Sequence, residues 1–173
     1  MQLTLTSKSV KVLGVVLKSE KNGIIRAKKA RMGAVIEGGT GMSALEEIRN
    51  RFKNDHFATD ATGIVIDAAE PGKAVCSLTI EERHLNENNV PMGGAIFTLA
   101  DFTCAIAANG YSEKPTVSQQ VSITFLAPAK GKRLIAEAAC LRSGRTTALY
   151  TADIRDELGT YVAHATVNAY VLG

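Results

Sequence analysis

Residues 91–109 read PMGGAIFTLADFTCAIAAN, and this stretch decides how the rest of the chain folds. After two glycines it is built mainly from Ala, Ile, Leu, Phe and Thr, and Asp101 is the only side chain in it that carries a full charge at neutral pH. A helix that is apolar nearly all round is surrounded by protein rather than laid on a surface. We therefore predict one long, buried helix at the centre of the fold.

Asp101 needs a reason to lie in such a helix. A buried carboxylate is costly to desolvate unless it is hydrogen-bonded, paired with a cation or used in chemistry. The glycines suggest the use, because Gly93 and Gly94 have no side chain to keep a ligand away from the free N–H groups of the first helical turn. We expect these N–H groups to form an oxyanion site, with Asp101 as its catalytic partner.

The spacing places a condition on this pairing. Asp101 follows Gly93 by eight residues, which is about 12 Å along a helix axis. One helix cannot bring both groups to the same carbonyl carbon. If they cooperate, Asp101 must face the glycines of a second, antiparallel copy, and the sequence then predicts a dimer with two composite sites.

Composition limits the other possibilities. With 173 residues, of which 46% are hydrophobic, the chain is long enough for one domain with a substantial core. Its three cysteines lie far apart in apolar segments, which favours reduced, buried thiols. No Cys or His pair has metal-ligand spacing, and the apolar runs are too short to span a membrane. We expect a cytoplasmic protein without a metal, an organic cofactor or a membrane contact.

Charge divides the chain in two. Residues 1–41 hold 8 Lys and Arg against 2 acidic residues, whereas residues 42–173 hold 12 against 15. We read residues 1–41 as a basic, poorly ordered extension and residues 42–173 as the domain. Such an extension can contact nucleic acid; solvation is the simpler explanation of its charge, so we expect no nucleic-acid partner.

The remaining patterns predict an α+β domain. The elements expected around the central helix are an amphipathic helix at 43–54 with Ser43 and Glu46 as a capping box, a hairpin of 59–69 and 73–80, and strands at 117–125, 134–142, 146–155 and 161–172. In the strand 117–125, strict alternation places Val117 and Val121 on one face and Ser118 and Gln120 on the other. We expect a curved antiparallel sheet around the central helix.

Three segments carry a more specific resemblance: HLNENNVPMGGAIFTLAD, TVSQQVSITFLAPAKG and SGRTTALYTADIRDELGTYVAHATVNAYVL. They resemble the PaaI type of acyl-CoA thioesterase, a hotdog-fold family named after the phenylacetate pathway, over roughly residues 43–172. The resemblance implies a homodimer, or a tetramer of two dimers, that hydrolyses an acyl-CoA. The apolar faces of the helix and strands favour a medium-chain or aromatic acyl group.

The resemblance also implies roles for particular residues. The N–H of Gly93 would polarise the thioester carbonyl, with Asn86 assisting from the loop. Asp101 of the other subunit would act as general base or as nucleophile, and Ser118 would hold the water. For each side chain there is a plainer explanation: a structural carboxylate for Asp101, a turn for Asn86, an ordinary polar strand residue for Ser118.

Substrate contacts are expected next to these groups. Gly94 and Met92 lie at the helix start, where the family usually has His instead of Met92. Five cations near strand ends are candidates for the coenzyme A phosphates, with Arg145 in its Ser-Gly-Arg turn favoured; solvation would also explain them. The five are Lys130, Lys132, Arg133, Arg142 and Arg145.

Other functions stay open at this point. Loss of the family His favours a non-catalytic acyl-CoA or fatty-acyl binding protein as the alternative to a thioesterase. A hotdog dehydratase is a weaker possibility, because such enzymes pair a loop His with an acid on the helix. Here Met92 and the position of Asp101 argue against it.

Overall fold

A computed structural model describes residues 42–172 and three short strands before them, β1 (Lys11–Val12), β2 (Val15–Ser19) and β3 (Ile25–Lys29). The chain divides into two units, Met1–Gly41 and Met42–Gly173. In the first unit the three strands form an antiparallel sheet in the order β1-β2-β3. The predicted disorder of the basic extension concerns residues that lie mostly outside the described ones, and it stays a prediction.

The second unit is a six-stranded antiparallel sheet with two α-helices. Its strand order is β4-β5-β7-β8-β9-β6. The elements are α1 (Ala44–Phe52), β4 (Ile64–Glu70), β5 (Lys73–Thr79), α2 (Gly93–Asn109), β6 (Thr116–Phe125), β7 (Arg133–Ser143), β8 (Thr147–Asp156) and β9 (Tyr161–Val171). The predicted α+β class is confirmed.

Helix α2 is the centre of this unit, as its composition predicts. It contacts all six strands of the sheet, and its buried side chains include Leu99, Phe102 and Ile106. Strand β9 faces it with a row of small buried residues, Ala163, Ala165, Val167 and Ala169. Small side chains on the sheet let the helix approach closely. No helix in the described part of the chain is long and apolar enough to cross a membrane.

The segment before β4 differs from the prediction. The capping box at Ser43 and Glu46 is present at the start of α1, but the strand expected from residue 59 begins only at Ile64. Residues Phe57–Ala61 instead form a short π-helical turn. The backbone N–H and the hydroxyl of Thr62 both donate to the Phe57 carbonyl, and Gly63 has a φ of +77° that L side chains rarely adopt. These contacts end the turn before the strand can start.

Strand β6 lies at an edge of the sheet and contains a β-bulge. Ser118 is opposite Ala169 and Gln120 is opposite Asn168, so Gln119 is an extra residue without a partner on β9. A bulge shifts the alternation of the strand by one residue. Ser118 therefore shares the face of Val121, turned towards α2, and the strict alternation expected from the sequence is wrong at this end of the strand.

The turn between β8 and β9 holds the segment that connects β6 to β7. The buried Asp156 carboxylate accepts four backbone N–H bonds of 2.7–3.1 Å, from Lys130, Gly131, Leu158 and Thr160. Burial alone would raise the pKa of Asp156, but the N–H groups hold it well below its ordinary value. Glu157 adds two bonds, from the N–H groups of Lys132 and Arg133.

Candidate active site

Asp101 and Ser118 meet on the inner face of the sheet. The Ser118 hydroxyl donates a 2.7 Å hydrogen bond to Oδ1 of Asp101. The bulge at Gln119 makes this contact possible, because it turns Ser118 towards α2. Asp101 is half-buried rather than enclosed, and the Ser118 hydroxyl is its hydrogen-bond partner. A carboxylate has about four acceptor positions, and the recorded bond occupies one of them.

The thiols near this carboxylate are not activated. Burial raises the pKa of both Cys76 and Cys104 to about 12, far above the pH at which a thiolate attacks a substrate. Cys76 and Cys104 are buried and Cys140 is half-buried, all three as free thiols. The expectation of reduced, buried thiols agrees with the environment of Cys76 and Cys104, whereas Cys140 is only half-buried.

The start of α2 offers backbone N–H donors. Met92 is the N-cap, its side chain forms no capping hydrogen bond, and the first turn contains no acidic residue. The N–H groups of Gly93 and Gly94 have no acceptor within the helix, because the carbonyls that would accept from them precede it. Together with the helix dipole they favour an oxygen that carries negative charge.

Two side chains border the glycines. A Cβ atom at Gly93 would lie 3.1 Å from Cζ of Phe125, and one at Gly94 would lie 3.2 Å from Cε of Met92. Both distances are tighter than ordinary side-chain contacts. A side chain at Gly93 would therefore need the Phe125 ring to shift by a few tenths of an ångström, and one at Gly94 would need the end of the exposed Met92 side chain to shift by a similar amount. Met92, in the position of the family His, is exposed beside Gly94.

Asn86 uses its side-chain oxygen to shape the loop before α2. Its Oδ1 accepts from the N–H groups of Asn88 and Val90 at 2.9 and 3.3 Å, and Asn89 between them has a positive φ of 57°. The turn-forming explanation of Asn86 is thus present in the structure. Its amide NH₂ group is the part that can donate to a substrate oxygen.

His84 has a structural role that the sequence does not reveal. The ring is buried; Nδ1 accepts from the N–H of Glu81, and Nε2 lies 2.9 Å from the carbonyl oxygen of Thr62. The His84 carbonyl in turn accepts the N–H of Met92 at 2.7 Å. His84 therefore fixes the entry to α2 against the π-helical turn. Its partners are backbone groups, one of them 22 residues earlier, so no side-chain pattern could point to it.

The structure separates the cations that were expected to bind phosphate. Arg133 donates to the Asp67 carboxylate and to the Ser77 hydroxyl. Lys132 lies beside Ile80, whose N–H donates to the Lys132 carbonyl, at the end of the sheet where α2 begins. Arg145 follows the other end of β7, roughly 30 Å from Lys132 at the rise of a β-strand. These cations do not form one cluster within a protomer.

Three features thus form the candidate site: the Asp101 carboxylate with Ser118, the N–H groups of Gly93 and Gly94, and the loop that carries Asn86. A base and an oxyanion site are the two elements of water-dependent acyl transfer. Within one protomer they remain about 12 Å apart along α2. Among the described residues, no group of His, Cys, Asp and Glu side chains is arranged to hold a metal ion.

Comparison with known proteins shows the family to which this chain belongs. The model of the thioesterase superfamily matches residues 88–163. Human acyl-coenzyme A thioesterase 13 is 31% identical over 117 residues, which are 66% of this chain and 84% of that protein. The structure of the Escherichia coli PaaI protein from the phenylacetic acid degradation operon superposes with a TM-score of 0.69 at 28% identity, covering 75% of this chain and 94% of PaaI.

A second solved structure is similar and is described with coenzyme A. It is a hypothetical thioesterase from Streptococcus pneumoniae, with a TM-score of 0.65 and 27% identity over 70% of this chain and 97% of that protein. The predicted fold and the predicted enzyme class are confirmed by these relatives. The chain therefore belongs to the thioesterase superfamily, as a thioester hydrolase with the hotdog fold of PaaI.

Proposed function

We propose that this protein hydrolyses a medium-chain or aromatic acyl-CoA at composite sites formed by two subunits. The observation that carries the proposal is the 2.7 Å hydrogen bond from Ser118 to Asp101. The bond orients the Asp101 carboxylate, which the resemblance gives as the acidic residue of the family, and this orientation supports the proposal. The names of the relatives, among them acyl-coenzyme A thioesterase 13 and a thioesterase with coenzyme A, support coenzyme A as the thiol.

The chemistry follows from the groups in each half of the site. Asp101 takes a proton from a water molecule, and the water oxygen attacks the thioester carbonyl carbon. The carbonyl electron pair moves to oxygen, where the N–H of Gly93 from the other subunit stabilises the charge. The C–S bond then breaks, and the departing sulfur receives the proton from Asp101. Ser118 keeps the carboxylate oriented; direct attack by Asp101 is the alternative route.

Symmetry supports the composite arrangement. Suppose that Asp101 of one subunit lies level with Gly93 of an antiparallel partner. The twofold axis then passes close to Phe97, which is midway between Gly93 and Asp101 along α2. Phe97 is an exposed large apolar side chain on α2. The edge strand β6 also exposes Val117 and Phe125, and an unpaired edge with apolar side chains is suited to pairing with a second copy. Whether two such dimers form a tetramer stays a prediction.

Lys132 is the best placed of the predicted phosphate ligands. Its side chain is exposed, and its backbone carbonyl accepts from the N–H of Ile80, just beyond the end of β5. Arg133 is already bound by Asp67 and Ser77. We expect Lys132 to contact a coenzyme A phosphate, whereas binding of phosphate by Arg133 or Arg145 stays a prediction with less support.

The first experiment measures thiol release from butanoyl-, octanoyl-, dodecanoyl- and phenylacetyl-CoA. Asp101→Asn should lower the rate by about 100-fold or more, as expected for loss of a general base. Asp60→Asn is the matched control, because Asp60 is an exposed aspartate on the π-helical turn. If Asp101→Asn stays within a few-fold of the wild-type rate, the assignment of Asp101 is wrong.

The composite site has its own test. Asp101→Asn subunits are mixed with Gly93→Val subunits, unfolded and refolded together. In a mixed dimer one composite site has both wild-type halves, so about a quarter of the wild-type activity should return. A site contained within one protomer would carry one defect in every copy. Mixtures no more active than the separate variants would contradict the composite arrangement.

Met92 favours one alternative function, a non-catalytic acyl-CoA binding protein. Its thioether covers Gly94 and cannot donate or accept the proton that the family His could carry. Such a protein would be stabilised by acyl-CoA esters without consuming them. Thermal melting with octanoyl-CoA, combined with thiol release from the same sample, distinguishes the two functions.

A further inference from the structure

Asn109, the last residue of α2, binds the first residue of β6 through its side chain. Its Nδ2 donates to the carbonyl oxygen of Thr116 at 2.9 Å, and its Oδ1 accepts from the Thr116 N–H at 2.7 Å. A third bond, from Nδ2 to the Ala105 carbonyl at 3.1 Å, holds the amide against its own helix. The side chain is half-buried, and all three partners are backbone groups. One amide therefore joins the carboxyl end of α2 to the start of the edge strand.

The segment between these two residues is short and internally bonded. In residues 110–115 the Ser112 hydroxyl accepts from the N–H of Lys114 at 3.2 Å and donates to the Lys114 carbonyl at 2.9 Å. The Pro115 carbonyl accepts from the N–H of Leu172 at 2.8 Å, directly after β9. Asn109 thus fixes the place at which the strand starts, and the bonded turn fixes which residue starts there.

The start of β6 matters because the pairing of this strand with β9 contains the bulge. Residues 116–118 lie before Gln119 and are offset by one residue from the rest of the ladder. A regular ladder, with Gln119 opposite Ala169, would turn Ser118 away from α2 and from Asp101. Backbone pairing alone favours the regular ladder, because a bulge leaves one residue without a partner. A contact outside the ladder therefore selects the bulged register.

We propose that Asn109 is a positioning residue for hydrolysis: its amide holds Thr116 so that β6 keeps the bulge and Ser118 faces Asp101. This inference rests on the proposed function, because Asn109 acts through the base of that reaction. Asn109 does not touch the reacting atoms, since it follows Asp101 by eight residues, about 12 Å along α2. Its effect passes through the strand from Thr116 to Ser118 and then through one hydroxyl.

Another side-chain contact at this end of α2 does not involve β6. The Tyr111 hydroxyl donates to the Ala69 carbonyl of β4 at 3.2 Å, and β4 lies at the opposite edge of the sheet. Tyr111→Phe removes this bond, keeps the ring and leaves the bonds of Asn109 in place. It is therefore the matched control for Asn109→Ala, because each variant loses side-chain bonds to backbone groups near the end of the same helix.

The kinetic test compares the wild type, Asn109→Ala, Ser118→Ala and the double variant on the ester that the wild type hydrolyses fastest. Asn109→Ala should lower kcat about tenfold, as Ser118→Ala does, with KM within about twofold of the wild-type value. The double variant should be no slower than Ser118→Ala, because both changes remove the same contact. Tyr111→Phe should match the wild type. Independent effects would multiply to a loss of about 100-fold, and that result would overturn the proposal.

Deletion of Gln119 tests the register itself. Without the extra residue a regular ladder keeps Ser118 opposite Ala169, so Asn109 has no bulge to maintain. Asn109→Ala in this background should leave kcat within about twofold of that of the deletion variant. An equal loss in both backgrounds would mean that Asn109 supports the fold in general, against the proposal. Asn109→Asp, which loses both donated bonds and should lower kcat in the same way, is the second variant if Asn109→Ala does not fold.

Crystal structures provide a readout that needs no turnover. In Asn109→Ala the Ser118 hydroxyl should lie beyond hydrogen-bond distance of Asp101, and Gln119 should be paired with β9. A retained bulge with the 2.7 Å bond unchanged would overturn the proposal. If the wild type hydrolyses no acyl-CoA, the proposed function fails, and the same structures still decide whether Asn109 sets the register of β6.

Discussion

Asp101 on α2 and Asp156 at the end of β8 are two aspartates with opposite hydrogen-bonding environments. Asp156 is buried and accepts four backbone N–H bonds, so its acceptor positions are filled by the protein. Asp101 is half-buried, and its carboxylate accepts one hydrogen bond, from the Ser118 hydroxyl. The first carboxylate is fixed in its charged form by the fold; the second keeps acceptor positions for water.

The difference shows how a carboxylate becomes available for chemistry. A general base must be able to accept a proton, and each N–H that donates to the charged form makes that harder. Asp156 is therefore a poor base despite its burial, and its bonds stabilise the loop between β6 and β7. Asp101 is held by one bond from Ser118, which orients the carboxylate without using its remaining lone pairs.

The largest effects are expected from substitution of these two aspartates, on stability for Asp156 and on turnover for Asp101. Asp156→Asn puts an NH₂ group among N–H donors, so we expect the free energy of unfolding to fall by roughly 3 kcal/mol. Asp101→Asn should change the melting temperature by no more than about 2 °C while it abolishes most of the turnover. Chemical denaturation and thiol release on both variants measure the two effects.

If Asp156→Asn lost as much turnover per folded molecule as Asp101→Asn, the assignment of a structural role to Asp156 and a catalytic role to Asp101 would be wrong. Asp60→Asn serves as the reference for both assays, because its side chain is 68% exposed. That variant should match the wild type in each.

Gly93→Ala should have the next largest effect. Its Cβ would lie 3.1 Å from the Phe125 ring, which disturbs packing, and it would also narrow the approach to the N–H. The double variant Gly93→Ala with Phe125→Leu relieves the packing contact. We expect the double variant to regain the wild-type melting temperature while kcat/KM stays at least about tenfold low. Recovery of both quantities would mean that Gly93 is needed for packing alone.

Ser118→Ala should have a smaller effect on turnover. The variant removes the hydrogen bond that orients Asp101 and leaves the base itself, so a decrease in kcat of about tenfold is expected. Ser122→Ala is the matched control on the same strand, since Ser122 is exposed and pairs with Thr166. A loss with Ser118→Ala as large as that with Asp101→Asn would indicate that Ser118 takes part in the chemistry directly.

The smallest expected effect is on acid stability. The pKa of Asp156 is lowered in the folded state, so the folded protein binds fewer protons than the unfolded chain, where the pKa is about 3.9. Its contribution to stability is therefore complete above that value and is lost as the pH falls towards the folded pKa. Denaturation curves from pH 7 to pH 3 should show the difference between wild type and Asp156→Asn shrinking. A constant difference would contradict this linkage.

Much of the fold could be predicted because the amino-acid composition of α2 identifies it as a buried helix. A long apolar helix with glycines at its start defines the centre, and regular alternation in the later segments defines the strands around it. The strand expected from residue 59 was wrong because the Thr62 hydrogen bonds to the Phe57 carbonyl depend on backbone geometry. Residues 1–41 lie mostly outside the described part of the chain, so their predicted disorder stays a prediction.

The site was predictable to a different degree for each residue. Asp101 is identified by its isolation on an apolar helix. Alternation alone places Ser118 on the wrong face, and only the resemblance assigns it a role in the site, that of holding the water. The bond to Asp101 is seen in the structure alone. His84 and Asp156 act through backbone groups of Thr62, Lys130 and Thr160, which every residue type possesses. A sequence pattern contains no information about such partners until the chain is folded.

The bulge at Gln119 has a consequence for how this site can be gained or lost. Which face a strand residue occupies depends on whether the count of residues to a fixed neighbour is odd or even. If β6 paired with β9 without the bulge while Gln119 was kept, Val121 would stay against the helix and Ser118 would turn outward, with every side chain of the site still encoded. Deletion of Gln119 would instead leave a regular ladder that keeps Ser118 opposite Ala169 and turned towards Asp101. The contact between serine and aspartate therefore depends on how β6 pairs with β9 as well as on which residues the strand contains.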